Sequence, residues 1–192
     1  MVEAARVLFE ERGYAPTTIE AISERSDTPQ ATIYRLFRSK VGILKAVIDV
    51  AIAGDDDDIV VADRPHVREV LADQDPHEQL VRFAGLLRGL MRRAAPVHRM
   101  LADAARSDEE AAALLADIAR QRQEGQHQIA RSIARSGGLQ EGLRERDAAD
   151  IIHALASPEV YGMLVLDRGW SGERYERWIA SILTSQLVAA RP

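Results

Sequence analysis

Thr28-Pro29-Gln30-Ala31-Thr32-Ile33-Tyr34-Arg35-Leu36-Phe37-Arg38-Ser39-Lys40 is the stretch whose reading decides how this chain folds. Thr28 can cap a helix, and Pro29 stands where a first helical position would fall. Ile33 and Phe37 are four residues apart and can point inward together. Gln30, Ala31, Tyr34 and Arg35 fall on other faces of the same short helix. From Thr28 to Ile48 there are four basic residues and no acidic one. Such a helix suits a DNA major groove, where Arg pairs with guanine, Gln with adenine, and small side chains allow close approach. The alternative is an ordinary basic surface helix.

The flanking sequence builds a frame around it. Residues 2–12 read as a helix with Ala5, Leu8 and Phe9 on one side, stopped by Gly13 as a left-handed cap. Thr17 and Glu20 are spaced as a capping box opening a second helix, with Ile19, Ile22 and Ser23 inward. Arg25-Ser26-Asp27 makes the turn. Two short helices joined in this way form a helix-turn-helix. Ser39 then caps a longer helix with Val41, Leu44, Val47, Ile48 and Ile52 as its stripe.

Residues 2–52 resemble the DNA-binding domain of the TetR family of transcriptional regulators. The matching pieces are Leu8-Phe9 with Gly13-Tyr14, Thr17-Thr18-Ile19, Ile22, and Thr32-Ile33-Tyr34-x-x-Phe37-x-x-Lys40 followed by Leu44. Ser26-Asp27-Thr28-Pro29 stands where the family usually has Ala-Gly-Val-Ser, so Asp27 must adopt the turn that Gly adopts easily. The chain as given opens at the first helix, without the family's usual basic arm. The resemblance implies an all-α homodimer that binds a double-stranded, palindromic DNA operator, as a repressor released by a small effector. Residues 1–46 would form the helix-turn-helix domain and 47–192 the helical effector-binding and dimerisation domain. By resemblance, Gln30, Ala31 and Arg35 would read bases, and Thr18, Thr32, Tyr34 and Lys40 would hold phosphates.

The chain has 192 residues, 46% of them hydrophobic, so it can bury a sizeable core. It contains no cysteine, which excludes disulfides and thiolate chemistry. Neither a membrane span nor a signal peptide is expected, and the cytoplasm is the expected location. Residues 1–54 hold seven Lys/Arg and seven Asp/Glu, so the net charge of −5 lies wholly in residues 55–192. Fields are screened within about 10 Å, so the local basic patch can still meet phosphates.

Asp55 to Asp58, with His66 nearby, invite a metal-site reading. Adjacent acids repel and lack the alternating spacing of ion loops, so a solvated loop is expected instead. A short linking helix is expected over 64–71. From Asp75-Pro76 the pattern is helical to the end. A first helix carries Leu80, Phe83, Leu87, Leu90 and Met91, is broken by Pro96, and is followed by a short segment over 97–106. A long helix runs from Ser107-Asp108 to Ser136, ended by Gly137-Gly138. Its inward stripe includes Leu115, Ile118, Arg122, Gln126, Ile129 and Ile133. Arg122 and Gln126 either reach solvent near a bend or line a cavity. The candidate effector pocket is Phe83, Leu87, Leu90, Met91, Met100, Leu115, Ile118, Arg122 and Gln126, with His98 or Tyr161 as further polar handles. Apolar walls with few polar groups suit a hydrophobic ligand with one polar or anionic end; the competing reading is a solid core.

Residues from Asp147 resemble the last two helices of TetR-family proteins. Ser157-Pro158 restarts a kinked helix, and 173–189 forms the last one. Ile151, Ile152, Leu155, Trp178, Ile182 and Leu183 are the candidate dimer interface, two helices pairing with their copies; burial within one protomer is the alternative. The five histidines show no metal-ligand spacing, and no phosphate loop or nucleophile motif is present. No cofactor and no catalytic residue are therefore expected. The alternatives to a regulator are a helical interaction protein without DNA reading, and a small all-α enzyme.

Overall fold

The helix α1 (Val2–Arg12) buries Ala5, Leu8 and Phe9, the side its spacing predicts. Gly13 ends it at φ +86°, but its ψ of 165° lies outside the left-handed helical region, so the chain leaves in an extended direction. This is a conformation that only glycine adopts without strain. The computed structural model describes residues 1–53 and 65–189. The run Asp55–Asp58 lies outside the described residues, as does the side chain of His66.

The capping expectations shift by one residue. Thr18, not Thr17, caps α2 (Ile19–Ser26), accepting from the Ala21 amide at 3.1 Å. Thr17 is buried, and its hydroxyl donates to the Gly13 carbonyl at 2.8 Å, tying the end of α1 to the start of α2. Asp27 does take the left-handed turn, at φ 47° and ψ 43°. Pro29, not Thr28, is the N-cap residue of α3 (Gln30–Phe37). The Thr28 hydroxyl instead donates to Ser26 O at 3.0 Å, which fastens the turn.

Ser39 caps α4 (Lys40–Ala53) as expected, accepting from the Gly42 amide at 3.0 Å. A Cβ at Gly42 would lie 1.9 Å from the Phe37 carbonyl oxygen. Only glycine therefore permits the tight corner that sets α3 against α4. The first four helices pack around Leu8, Phe9, Ile22, Ile33, Ile43 and Leu44. The α4 helix runs unbroken through residue 46, and Val47, Ile48 and Ala51 also join this cluster.

α5 (Pro65–Ala72) precedes α6 (Pro76–Ala104), a single helix of 29 residues. The expected break at Pro96 does not occur. A proline inside a helix costs about 3 kcal/mol. Buried Met91, Ala95, Val97 and Leu101 anchor both sides of it and offset that cost. α7 (Glu109–Arg135) is capped by Asp108, which accepts from the Glu110 and Ala111 amides. α8 (Glu145–Leu155) leads through Ser157, which caps α9 (Pro158–Tyr161), into a π-helical stretch over Gly162–Asp167. α10 (Gly172–Leu187) closes the second cluster, which also holds Leu80, Leu87, Ile133, Ile152, Tyr175 and Leu183. Among the described residues there is no strand, only an isolated bridge between Leu139 and Val188.

Contrary to expectation, Glu145–Asp167 is long and apolar enough to cross a membrane by length and composition. Its path is interrupted at Ser157-Pro158, and Ala148, Ala149, Ile152, Ala156 and Tyr161 are buried against the rest of the protein.

Candidate nucleic-acid interface and effector cavity

The helix α3 buries Ile33 and leaves Gln30, Ala31, Tyr34 and Arg35 exposed; Thr32 is half-buried. Leu36, which the sequence reading passed over, is 54% exposed on the same helix, an unusual place for leucine. Pro29 supplies no side-chain cap, so the first amides of α3 stay available to an anion. Thr18 is exposed; its oxygen accepts the Ala21 amide while its proton stays free to donate.

Lys40 is placed differently from the phosphate-holding role assigned to it. Its ammonium donates to the carbonyls of Tyr14 (3.0 Å), Ala15 (3.2 Å) and Thr17 (3.1 Å) and lies 4.1 Å from the Tyr14 ring centre. All three protons are engaged inside the protein, and burial lowers the proton affinity of the amine. Lys40 is a tie between α4 and the α1–α2 turn.

A cavity of about 1000 Å³ lies between α4, α5, α6 and α7. Of the candidate pocket residues, Phe83, Leu87, Leu90, Met91, Ile118, Arg122 and Gln126 line it, as does His98. Met100 and Leu115 do not; they pack against the N-terminal cluster, because α6 and α7 reach past the cavity to that domain. Tyr161 is also absent from the wall and packs edge-on against Tyr175. The sequence reading missed Ile48, Ala51 and Ile52 of α4 and Val70 of α5. Their signal was present in α4, which is apolar on more faces than one packing side requires.

Arg122 and Gln126 join a directed chain of hydrogen bonds. Arg122 donates to His153 O and to His153 Nε2, both at 3.1 Å. An arginine can only donate, so Nε2 accepts and Nδ1 carries the ring proton. That proton goes to Gln126 Oε1 at 2.7 Å, and Gln126 Nε2 donates to Ala156 O at 3.2 Å. Burial, with Arg122 adding to it, lowers the His153 pKa and keeps the ring neutral. Burial lowers that of His98 as well, against the opposing pull of Glu159.

The cavity also touches α4, the helix whose first half packs in the N-terminal cluster. Arg93 of α6, on the cavity wall, donates from Nε to the Ala51 carbonyl of α4 at 3.1 Å.

Of the candidate dimer residues, Ile152 and Leu183 are fully buried within one protomer and cannot meet a second copy. They sit on the sides of α8 and α10 that face the protomer's own core. Ile151, Leu155, Trp178 and Ile182 are half-buried. Met163 and Leu166 are exposed at 53% and 42%.

Residues 1–47 match the sequence profile of the bacterial regulatory proteins, tetR family. The chain carries a TetR-family DNA-binding domain. No curated protein matches the chain in sequence. Among solved structures, the chain is similar to native NalD, the secondary repressor of the MexAB-OprM multidrug efflux pump in Pseudomonas aeruginosa. The TM-score is 0.72 at 18% identity, covering 99% of this chain and 96% of that one. It is also similar to FadR from Bacillus subtilis in complex with stearoyl-CoA, at TM-score 0.71 and 19% identity over 96% of each chain. SmeT, repressor of a Stenotrophomonas maltophilia multidrug efflux pump, was solved with triclosan. It matches at TM-score 0.68 and 19% identity, over 98% of this chain and 90% of that one. The whole chain thus has the fold of a TetR-family transcriptional regulator.

Proposed function

We propose that this protein is a homodimeric, cytoplasmic repressor that reads a palindromic DNA operator and releases it when a small, largely apolar effector binds the cavity. Residues 1–46 carry the reading head and 47–192 the effector and dimer functions. Gln30, Ala31 and Arg35 contact bases; Thr18, Thr32, Tyr34 and the first amides of α3 hold phosphates. Lys40 supports the turn rather than the DNA. The dimer forms through α8 and α10, where Ile151, Leu155, Trp178 and Ile182 are only half-buried, together with exposed Met163 and Leu166.

One observation carries this reading. Ile48, Ala51 and Ile52 of α4 form part of the cavity wall, and the first turn of α4 is locked against α3 at Gly42. A ligand that favours one position of α4 therefore also favours one spacing of the two α3 helices in a dimer. The test is a mobility shift on the DNA upstream of the protein's own gene, at stated salt, followed by a search for compounds that raise the melting temperature. Each stabilising compound is then added to the complex. Failure to shift any upstream DNA would favour a helical interaction module; stabilisation without operator release would remove the effector role.

A further inference from the structure

We propose that the effector is an apolar carboxylic acid whose carboxylate sits on Arg122; this rests on the reading of the cavity as the effector site. Arg122 lies on the cavity wall and is half-buried, yet it has no carboxylate within 4 Å among the described residues. Its two contacts, His153 O and the neutral His153 ring, supply no counter-charge. A guanidinium has five N–H donors, and His153 takes two of them. A partly desolvated cation is costly without a compensating anion, and a carboxylate matches the remaining fork.

The other charges on the wall do not compete for this role. Arg93 is spent on the carbonyls of Ala51 and Gly89. Asp49 is paired with Lys45 at 2.6 Å. Glu124 also lines the wall, but it is exposed and two residues from Arg122, a spacing at which side chains on one helix do not face each other. Glu159 acts on Arg122 only through space; its side chain is 63% exposed and lies 3.7 Å from His98 Nε2. His98 shares the wall with Arg122 and can donate to the second carboxylate oxygen. Phe83, Leu87, Leu90 and Ile118 receive the hydrocarbon body.

Because the same guanidinium is bonded to His153, an anion on its remaining donors is coupled to the chain that runs through Gln126 to Ala156, the residue that ends α8.

The experiment is calorimetric titration of the full-length protein with decanoate, 1-decanol and decylamine. Decanoate is expected to bind at least about tenfold more tightly than decanol, as a charge-assisted fork contact should allow. Decylamine is expected to bind most weakly, because its cation meets Arg122. In Arg122→Gln, decanoate is expected to fall to the affinity of decanol, while decanol is unchanged. If that variant does not fold, the ranking of the three probes on the natural protein decides alone. Equal affinity for decanoate and decanol would overturn the carboxylate seat and leave the cavity reading standing. Binding of none of the three would overturn the apolar-ligand reading and the carboxylate seat together.

Discussion

The Tyr14 hydroxyl donates to Asp108 Oδ2 at 3.0 Å, across the boundary between the reading head and the long α7 helix. The other oxygen of Asp108 accepts the amides of Glu110 and Ala111, so one carboxylate caps α7 and grips the turn after α1. Burial, reinforced by the Asp108 bond, raises the Tyr14 pKa and keeps the phenol a donor. Ser39, the cap of α4, adds a second strut by donating to Glu110 Oε1 at 2.9 Å.

Asp108→Ala should therefore cost more than Tyr14→Phe. The first removes a helix cap and leaves a buried hydroxyl unpaired, about 2 kcal/mol; the second removes one hydrogen bond, about 1 kcal/mol. Chemical denaturation of both variants checks the ranking. Equal losses would mean that the cap contributes nothing.

Lys40 and Arg35 should separate cleanly in DNA binding. Lys40→Met should lower stability by about 1–3 kcal/mol through three orphaned carbonyl contacts. It should leave the salt dependence of operator affinity unchanged for the folded protein. Arg35→Ala should leave the melting temperature unchanged and cost about 1–3 kcal/mol in binding, concentrated at one base pair. A reduced salt slope in Lys40→Met would return that residue to the phosphate backbone.

The two ends of the candidate dimer surface should also behave differently. Ile151→Asp places a charge on the half-buried outer face of α8 and should give a folded monomer by light scattering. Leu183→Asp places it in the protomer core and should prevent folding. Leu183→Ala, which only removes volume, should cost about 2–5 kcal/mol. A dimeric Ile151→Asp protein of undiminished stability would place the interface elsewhere.

The two histidines near Arg122 predict an acid-side loss of stability. Burial lowers the pKa of His98 and of His153 below the ordinary 6.5 in the folded protein. The unfolded chain therefore binds more protons as pH falls below 6.5, and stability present above that pH is lost. The melting temperature should drop as the pH falls below about 6.5, before most carboxylates titrate. His98→Gln should flatten part of that slope; an unchanged slope would mean that His98 contributes nothing to it.

Local chemistry determined much of this protein from its sequence. The spans of α1 and α7, the cap Ser39, the helix starts at Asp108 and Ser157, and the left-handed Asp27 all depend on neighbours within a few residues. The Gln30–Arg35 face was legible for the same reason, because helical period alone separates it from Ile33. The match of residues 1–47 to the tetR family rests on that local spacing.

Tertiary structure decided what local rules leave open. Pro96 reads as a break, but packing on both sides carries the helix through it. Thr17 reads as the cap by its capping-box spacing to Glu20, but the approach of α1 buries it and leaves Thr18 to cap. Lys40 reads as a phosphate ligand until the Tyr14–Thr17 turn folds over its ammonium. Met100 and Leu115 share a stripe with the cavity residues, yet the length of α6 and α7 carries them past the cavity to the other domain. Ile152 and Leu183 look like their neighbours Ile151 and Ile182 in sequence. Which apolar side of a helix turns inward is fixed by the helices packed against it, and no residue carries that information alone.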